Sequence, residues 1–135
     1  MKKTFTLNDE KIVNVKATNK GTSSALLGEP HYKYEIAIVV NDERRTFVYH
    51  DSIYNYVHGY KDEHLIENAV DAIISDAYAY INNGSVMEFI NEFGYEDYAK
   101  GQRVYDACKK SYEKLAALLS DEEIEELGNI VRERY

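Results

Sequence analysis

Two periodicities divide the chain. KIVNVKAT (residues 11–18) alternates apolar and polar positions with β-branched residues, and HYKYEIAIVV (31–40) puts Tyr32, Tyr34, Ile36, Ile38 and Val40 on one face at period two. Both patterns predict strands. NDER (41–44) has turn chemistry and RTFVYHD (45–51) resumes the alternation, so residues 31–51 read as a β-hairpin. Whether KTFTL near the start adds a fourth strand is left open by its short pattern. NKGTSSALLGEP (19–30), with two Gly, two Ser and the only Pro, reads as a loop.

From residue 61 the spacing becomes three and four. Leu65, Ile66, Ala69, Val70, Ile73, Ile74, Ala77 and Ile81 predict a helix over about 62–82, stopped by Asn83-Gly84. Ser85 with Glu88, and Ser120 with Glu123, have the spacing of capping boxes. They predict a short helix closed by Gly94 and a last helix to about 133 carrying Ile124, Leu127 and Val131. Between these, Tyr98, Gly101, Tyr105, Cys108, Tyr112, Leu115 and Leu119 form a 3, 4 stripe, the seam of a helix over about 97–119 that packs on another helix. The expected class is α+β: an antiparallel three- or four-stranded N-terminal sheet followed by about four helices packed on one face. No linker or repeat divides residues 1–135, so one domain is expected, with a β-rich part (1–60) and a helical part (61–135).

Charge changes this picture. The net charge of −8 is uneven, because residues 1–60 sum to +1 and residues 61–135 to −9. An acidic chain is poorly suited to direct nucleic-acid binding, which draws on basic surface. No apolar run is long enough for a bilayer, and one cysteine, Cys108, leaves a free thiol, so a cytoplasmic protein with no membrane contact is expected.

Reaction chemistry is hard to assemble. His31, His50, His58 and His64 match neither HExxH nor a Cys/His zinc spacing, so no metal ligand set and no cofactor are expected. Cys108 lies on the helical seam, where a thiol is a small apolar filler. No catalytic residue is assigned.

Recognition is a better prospect. HDSIYNYVHGYKDEH (50–64) holds Tyr54, Tyr56 and Tyr60, rings that either close the end of the sheet or form a protein-binding hot spot. No Lys or Arg lies between 62 and 82, where Glu63, Glu67, Asp71 and Asp76 include like-charge i,i+4 pairs that cost helix stability. In the next long helix Glu96/Lys100, Asp106/Lys110 and Lys109/Glu113 can pair instead. The last helix opens on Asp121, Glu122, Glu123, Glu125 and Glu126, more acid than its dipole explains. Tyr54, Tyr56, Tyr60, Glu63, Glu67, Asp71, Asp76, Glu122, Glu125 and Glu126 are therefore the candidate partner-binding residues.

FINEFGYEDY, followed by VYDACKK and LLSDEEIEEL, resembles the C-terminal part of small, mostly uncharacterised proteins of bacteriophages and mobile elements of Gram-positive bacteria. Phe89, Phe93, Gly94, Tyr95, Tyr105, Cys108, Leu118 and Leu119 carry the likeness, over roughly 86–128. The resemblance implies a non-enzymatic inhibitor of a host protein, including the anti-CRISPR kind that occupies the nucleic-acid site of a defence effector. The alternative is a structural protein that self-associates through the helix seam or a sheet edge.

Overall fold

A computed structural model describes residues 1–23, 30–58 and 63–133. Four strands form one antiparallel sheet in the order of the chain: β1 (Lys2–Thr6), β2 (Ile12–Ser23), β3 (His31–Val40) and β4 (Glu43–His50). KTFTL is thus the fourth strand, with Phe5 opposite Val13. The turn between β3 and β4 is only two residues, Asn41 and Asp42, both at positive φ, as a hairpin of this twist requires. The segment 19–30 is not all loop: β2 continues to Ser23 through a register shift between Asn19 and Thr22. Its paired strand, β3, is long enough to carry it. Residues 24–29 of the expected loop lie outside the described residues.

Among the described residues five helices follow, one more than the four expected because α1 forms within the connector: α1 (Ile53–His58), α2 (Leu65–Ile81), α3 (Val86–Phe93), α4 (Tyr98–Ala116) and α5 (Asp121–Glu133). The expected caps are present. Ser85 Oγ accepts from Glu88 N, and Gly94 closes α3 at φ 72°. At α5, Ser120 Oγ accepts from Glu123 N while Glu123 Oε1 accepts from Ser120 N, so two orphan amides are satisfied reciprocally.

One core joins sheet and helices. Phe5, Val13, Val15, Ile36, Ile38, Val40 and Phe47 from one sheet face meet Ile66, Val70, Ile73 and Ile74 of α2, Leu115 of α4 and Leu127 and Val131 of α5. Helix α2 is central, because its apolar positions wrap far enough round to face the sheet, α4 and α5 together. The α4 seam holds at Gly101, Cys108 and Leu115, which are buried; Leu119 is buried too but lies in the turn after α4, which ends three residues short of the expected 119, and Tyr98 is exposed. It lies one residue past the N-cap Asp97, before α4 comes under its neighbours. Gly101 is required: a Cβ there would sit 2.6 Å from Cγ1 of Ile90, so α3 and α4 could not pack this closely.

Candidate protein-binding surface

The Tyr-rich connector folds only in part into a surface. Asp51 is buried, and its Oδ1 accepts from Ser52 N and Asn55 Nδ2, which starts α1 directly after β4. Tyr56 packs edge-on against Tyr32 of β3 at 5.2 Å, so that ring closes the end of the sheet. Tyr54, 60% exposed, stands out with Val57 and lies 4.1 Å from the His58 ring. Tyr60 lies outside the described residues.

Beneath this end of the sheet His31 is fully buried, and its Nε2 lies 2.8 Å from Nδ1 of His50. Burial first, then His31 and Lys33, hold the His50 ring below the usual histidine range. Such a bond needs at least one neutral ring. Among the described residues no three His, Cys, Asp or Glu side chains converge closely enough for a metal ion.

The acidic positions do not form one face. Glu67 was expected on the surface, but it is 1% exposed and receives Lys3 Nζ of β1 at 2.5 and 2.7 Å, with His64 Nδ1 at 3.4 Å. Burial pushes its carboxyl up, and the Lys3 and His64 hydrogen bonds outweigh this and bring it below the usual range. Asp71 meets Arg132 of α5 at 3.1 Å. Glu126 accepts from the backbone of Asn8 in the β1–β2 turn. Its neighbour Glu123 pairs with Lys11 at 2.7 Å and is drawn down to about 2 by Lys11 and the Ser120 amide. The expected α4 pairs (Glu96/Lys100, Asp106/Lys110, Lys109/Glu113) make no ion pair among the described residues.

Glu63, Asp76, Glu122 and Glu125 remain exposed, with no side-chain ion pair among the described residues. Asp76 borders a feature that the sequence pattern does not show. Rings form a continuous ladder across three helices: Phe93 to Phe89 at 4.7 Å, Phe89 to Tyr105 at 5.4 Å, Tyr105 to Tyr80 at 5.4 Å and Tyr80 to Tyr112 at 5.6 Å. The three tyrosines are half-buried and Phe93 is exposed, so the ladder shows at the surface along the α2–α4 seam.

Carboxylates line that seam. Tyr112 donates its hydroxyl to Asp121 at 3.1 Å, which pushes the phenol pKa up. Asp76 stands one turn before Tyr80 on α2, and protein packed around its carboxyl raises its pKa. Tyr78 of α2 feels both Glu125 and Asp121 of α5, which places these acids beside the same helix. Cys108, between Tyr105 and Tyr112, is buried; burial and Asp76 raise its thiol to about 11, so it is a protonated filler at neutral pH. Tyr105 and Tyr112 already stood out as seam residues; Tyr80 and the Phe89–Tyr105 contact depend on how three helices cross.

No helix among the described residues is long and apolar enough to cross a membrane. No family model, curated protein or solved structure matches the chain.

Proposed function

We propose that this chain is a non-enzymatic inhibitor that binds a basic surface of a nucleic-acid-binding host protein, in the manner that its likeness to phage and mobile-element proteins implies. The observation that carries the reading is the ring ladder bordered by Asp76 and Asp121, with Glu122 and Glu125 exposed on the same first turns of α5 as Asp121. Tyrosine faces attract Arg and Lys side chains through their negative quadrupole, and carboxylates beside them steer the same cations. Half-buried Tyr rings also lose little entropy on binding. The protonated, buried Cys108 thiol supports the non-enzymatic part of the reading.

The test mixes the chain with purified defence effectors and measures co-elution and inhibition at low and high salt. Glu122→Lys with Glu125→Lys should slow association and remove most of the salt dependence. Tyr80→Ala with Tyr105→Ala should weaken binding by more than about 2 kcal/mol, the hot-spot scale. Binding that ignores both salt and the Glu substitutions sinks the electrostatic part of the proposal.

The alternative, self-assembly through the helix seam or a sheet edge, draws less support at the seam, where Cys108 and Leu115 are buried within the same chain.

A further inference from the structure

The same acidic chain carries a cationic sheet edge. Strand β4 ends the sheet, and the two-residue turn fixes which of its backbone groups are paired. Val40 and Glu43 flank that turn as a hydrogen-bonded pair, so Glu43, Arg45, Phe47 and Tyr49 bond to β3, and Arg44, Thr46 and Val48 turn their N–H and C=O outward. Two contacts mark that direction: the Thr46 carbonyl is held by Lys114 Nζ of α4 at 2.7 Å and the Arg44 carbonyl by Arg45 Nη1 at 2.9 Å, and an added strand takes the place of both side chains.

Cations flank this edge on both sides. A groove of about 400 Å³ on one side is lined by Lys20, Lys33, Glu35, Thr46, Val48 and Lys114, among others. On the other side Arg45, Lys110, Glu113 and Lys114 border a second groove. Glu35 is held by Arg44 at 3.3 Å and, at 4.0 Å, by Lys20, so one carboxylate serves two cations; Glu43 is held by Arg45 at 3.6 Å, while Lys33 and Lys110 have no ion-pair partner among the described residues. Val48, 57% exposed, supplies an apolar contact beside the open amides.

We propose that β4 is a docking edge for an acidic, extended protein segment, which adds a strand through the outward groups of Arg44, Thr46 and Val48 and sets its carboxylates against Lys20, Lys33, Arg44 and Lys110. Strand addition takes affinity from main-chain hydrogen bonds and specificity from flanking side chains. The charge selects the occupant. A second copy would bring Arg44 and Arg45 against the same residues, and like charges at an edge oppose pairing. An acidic strand turns that barrier into attraction, and the added strand takes the Thr46 carbonyl over from Lys114, whose ammonium is then left for a carboxylate. This surface uses none of the ladder residues, so it stands or falls independently of the inhibitor reading.

The test uses a fluorescein-labelled peptide of about eight residues, a typical strand length, alternating Glu and Val. Its Lys/Val counterpart and a single-stranded oligonucleotide serve as controls. Anisotropy at low salt should report binding of the Glu/Val peptide alone, with slowed hydrogen exchange at the Val48 amide. Val48→Pro deletes an outward donor without touching the β3 ladder and should weaken binding roughly tenfold, the scale of one lost hydrogen bond. Lys33→Glu with Arg44→Glu should weaken it at least as much, with circular dichroism showing both variants folded. No binding, equal binding of the Lys/Val peptide, or full binding by folded Val48→Pro overturns the proposal. Preference for the oligonucleotide, or dimers by light scattering that Val48→Pro abolishes, overturns it too and names the other occupant.

Discussion

The two edges of the sheet are treated in opposite ways. At the β1 edge the helices present carboxylates: Glu67 holds Lys3, Glu123 holds Lys11 and Glu126 caps the Asn8 amide. At the β4 edge they present cations, Lys110 and Lys114 of α4, and the Thr46 and Arg44 carbonyls are engaged only by the side chains of Lys114 and Arg45 among the described residues. The first edge is tied into the fold by buried or half-buried charge pairs, and the second keeps the outward amides of Arg44, Thr46 and Val48 open among the described residues. Part of the −9 of residues 61–135 is therefore internal cement for the +1 half, and only the remainder is free to face a partner.

The largest effect should come from Glu67. Its carboxylate is buried and takes two bonds from Lys3; removing it leaves a gap and a Lys3 that, being 30% exposed, can turn to water, so the cost is about 2–3 kcal/mol, the scale of lost bonds to a charged group. Glu67→Ala should lower the urea midpoint accordingly, with β1 the first segment to lose hydrogen-exchange protection. Lys3→Met with Glu67→Met should recover most of the loss. If the double variant is no better than Glu67→Ala alone, Glu67 has a role beyond its pairing with Lys3.

Acid should then loosen the β1 edge in a defined window. Glu67 and Glu123 both have folded-state pKa values below the ordinary 4.5, with Glu123 at about 2. Below pH 4.5 the unfolded chain takes up these protons first, so stability present above that pH is lost progressively down to about 2. Unfolding followed from pH 6 to pH 2 should show this slope, and Glu123→Gln should flatten it while costing about 1–2 kcal/mol at neutral pH through the weakened cap and lost ion pair. An unchanged slope in Glu123→Gln assigns the acid sensitivity to other carboxylates.

What could be read in advance follows interaction range. Strand alternation, the 3, 4 stripes and both capping boxes are local in sequence, and they located β3, β4 and α2 to α5 within a few residues, and the start of β2 but not its continuation to Ser23 past the register shift. Lys3 and Glu67 are 64 positions apart, and Asn8 and Glu126 are 118 apart. No periodicity links such pairs, so the sequence marks α2 and α5 as acidic without showing which carboxylates, Glu67, Asp71, Glu123 and Glu126 among them, are engaged inside the fold. The ring ladder was half legible: Tyr105 and Tyr112 share a helical stripe, whereas Tyr80 joins them only once α2 lies on α4. The cationic β4 edge is missing from the sequence reading, because NDER (41–44) reads whole as the turn, whereas the turn is Asn41-Asp42 alone and sets which amides of β4 face outward.

The smallest effect should be at Lys114. Its ammonium bonds the Thr46 carbonyl and lies 5.3 Å from the centre of the Phe47 ring, yet the side chain is exposed and the carbonyl can turn to water instead. Lys114→Met keeps the stem on the ring and removes only the charge-assisted bond, so it should cost under about 1 kcal/mol, the range of exposed charge contacts. The Thr46 and Val48 amides should exchange quickly in both forms, because no strand protects them. A loss on the scale of Glu67→Ala, or slow exchange of those amides in the unmodified chain, would mean that β4 is closed as firmly as β1. Fast exchange with little loss of stability leaves β4 as the edge a partner can enter without first breaking the core.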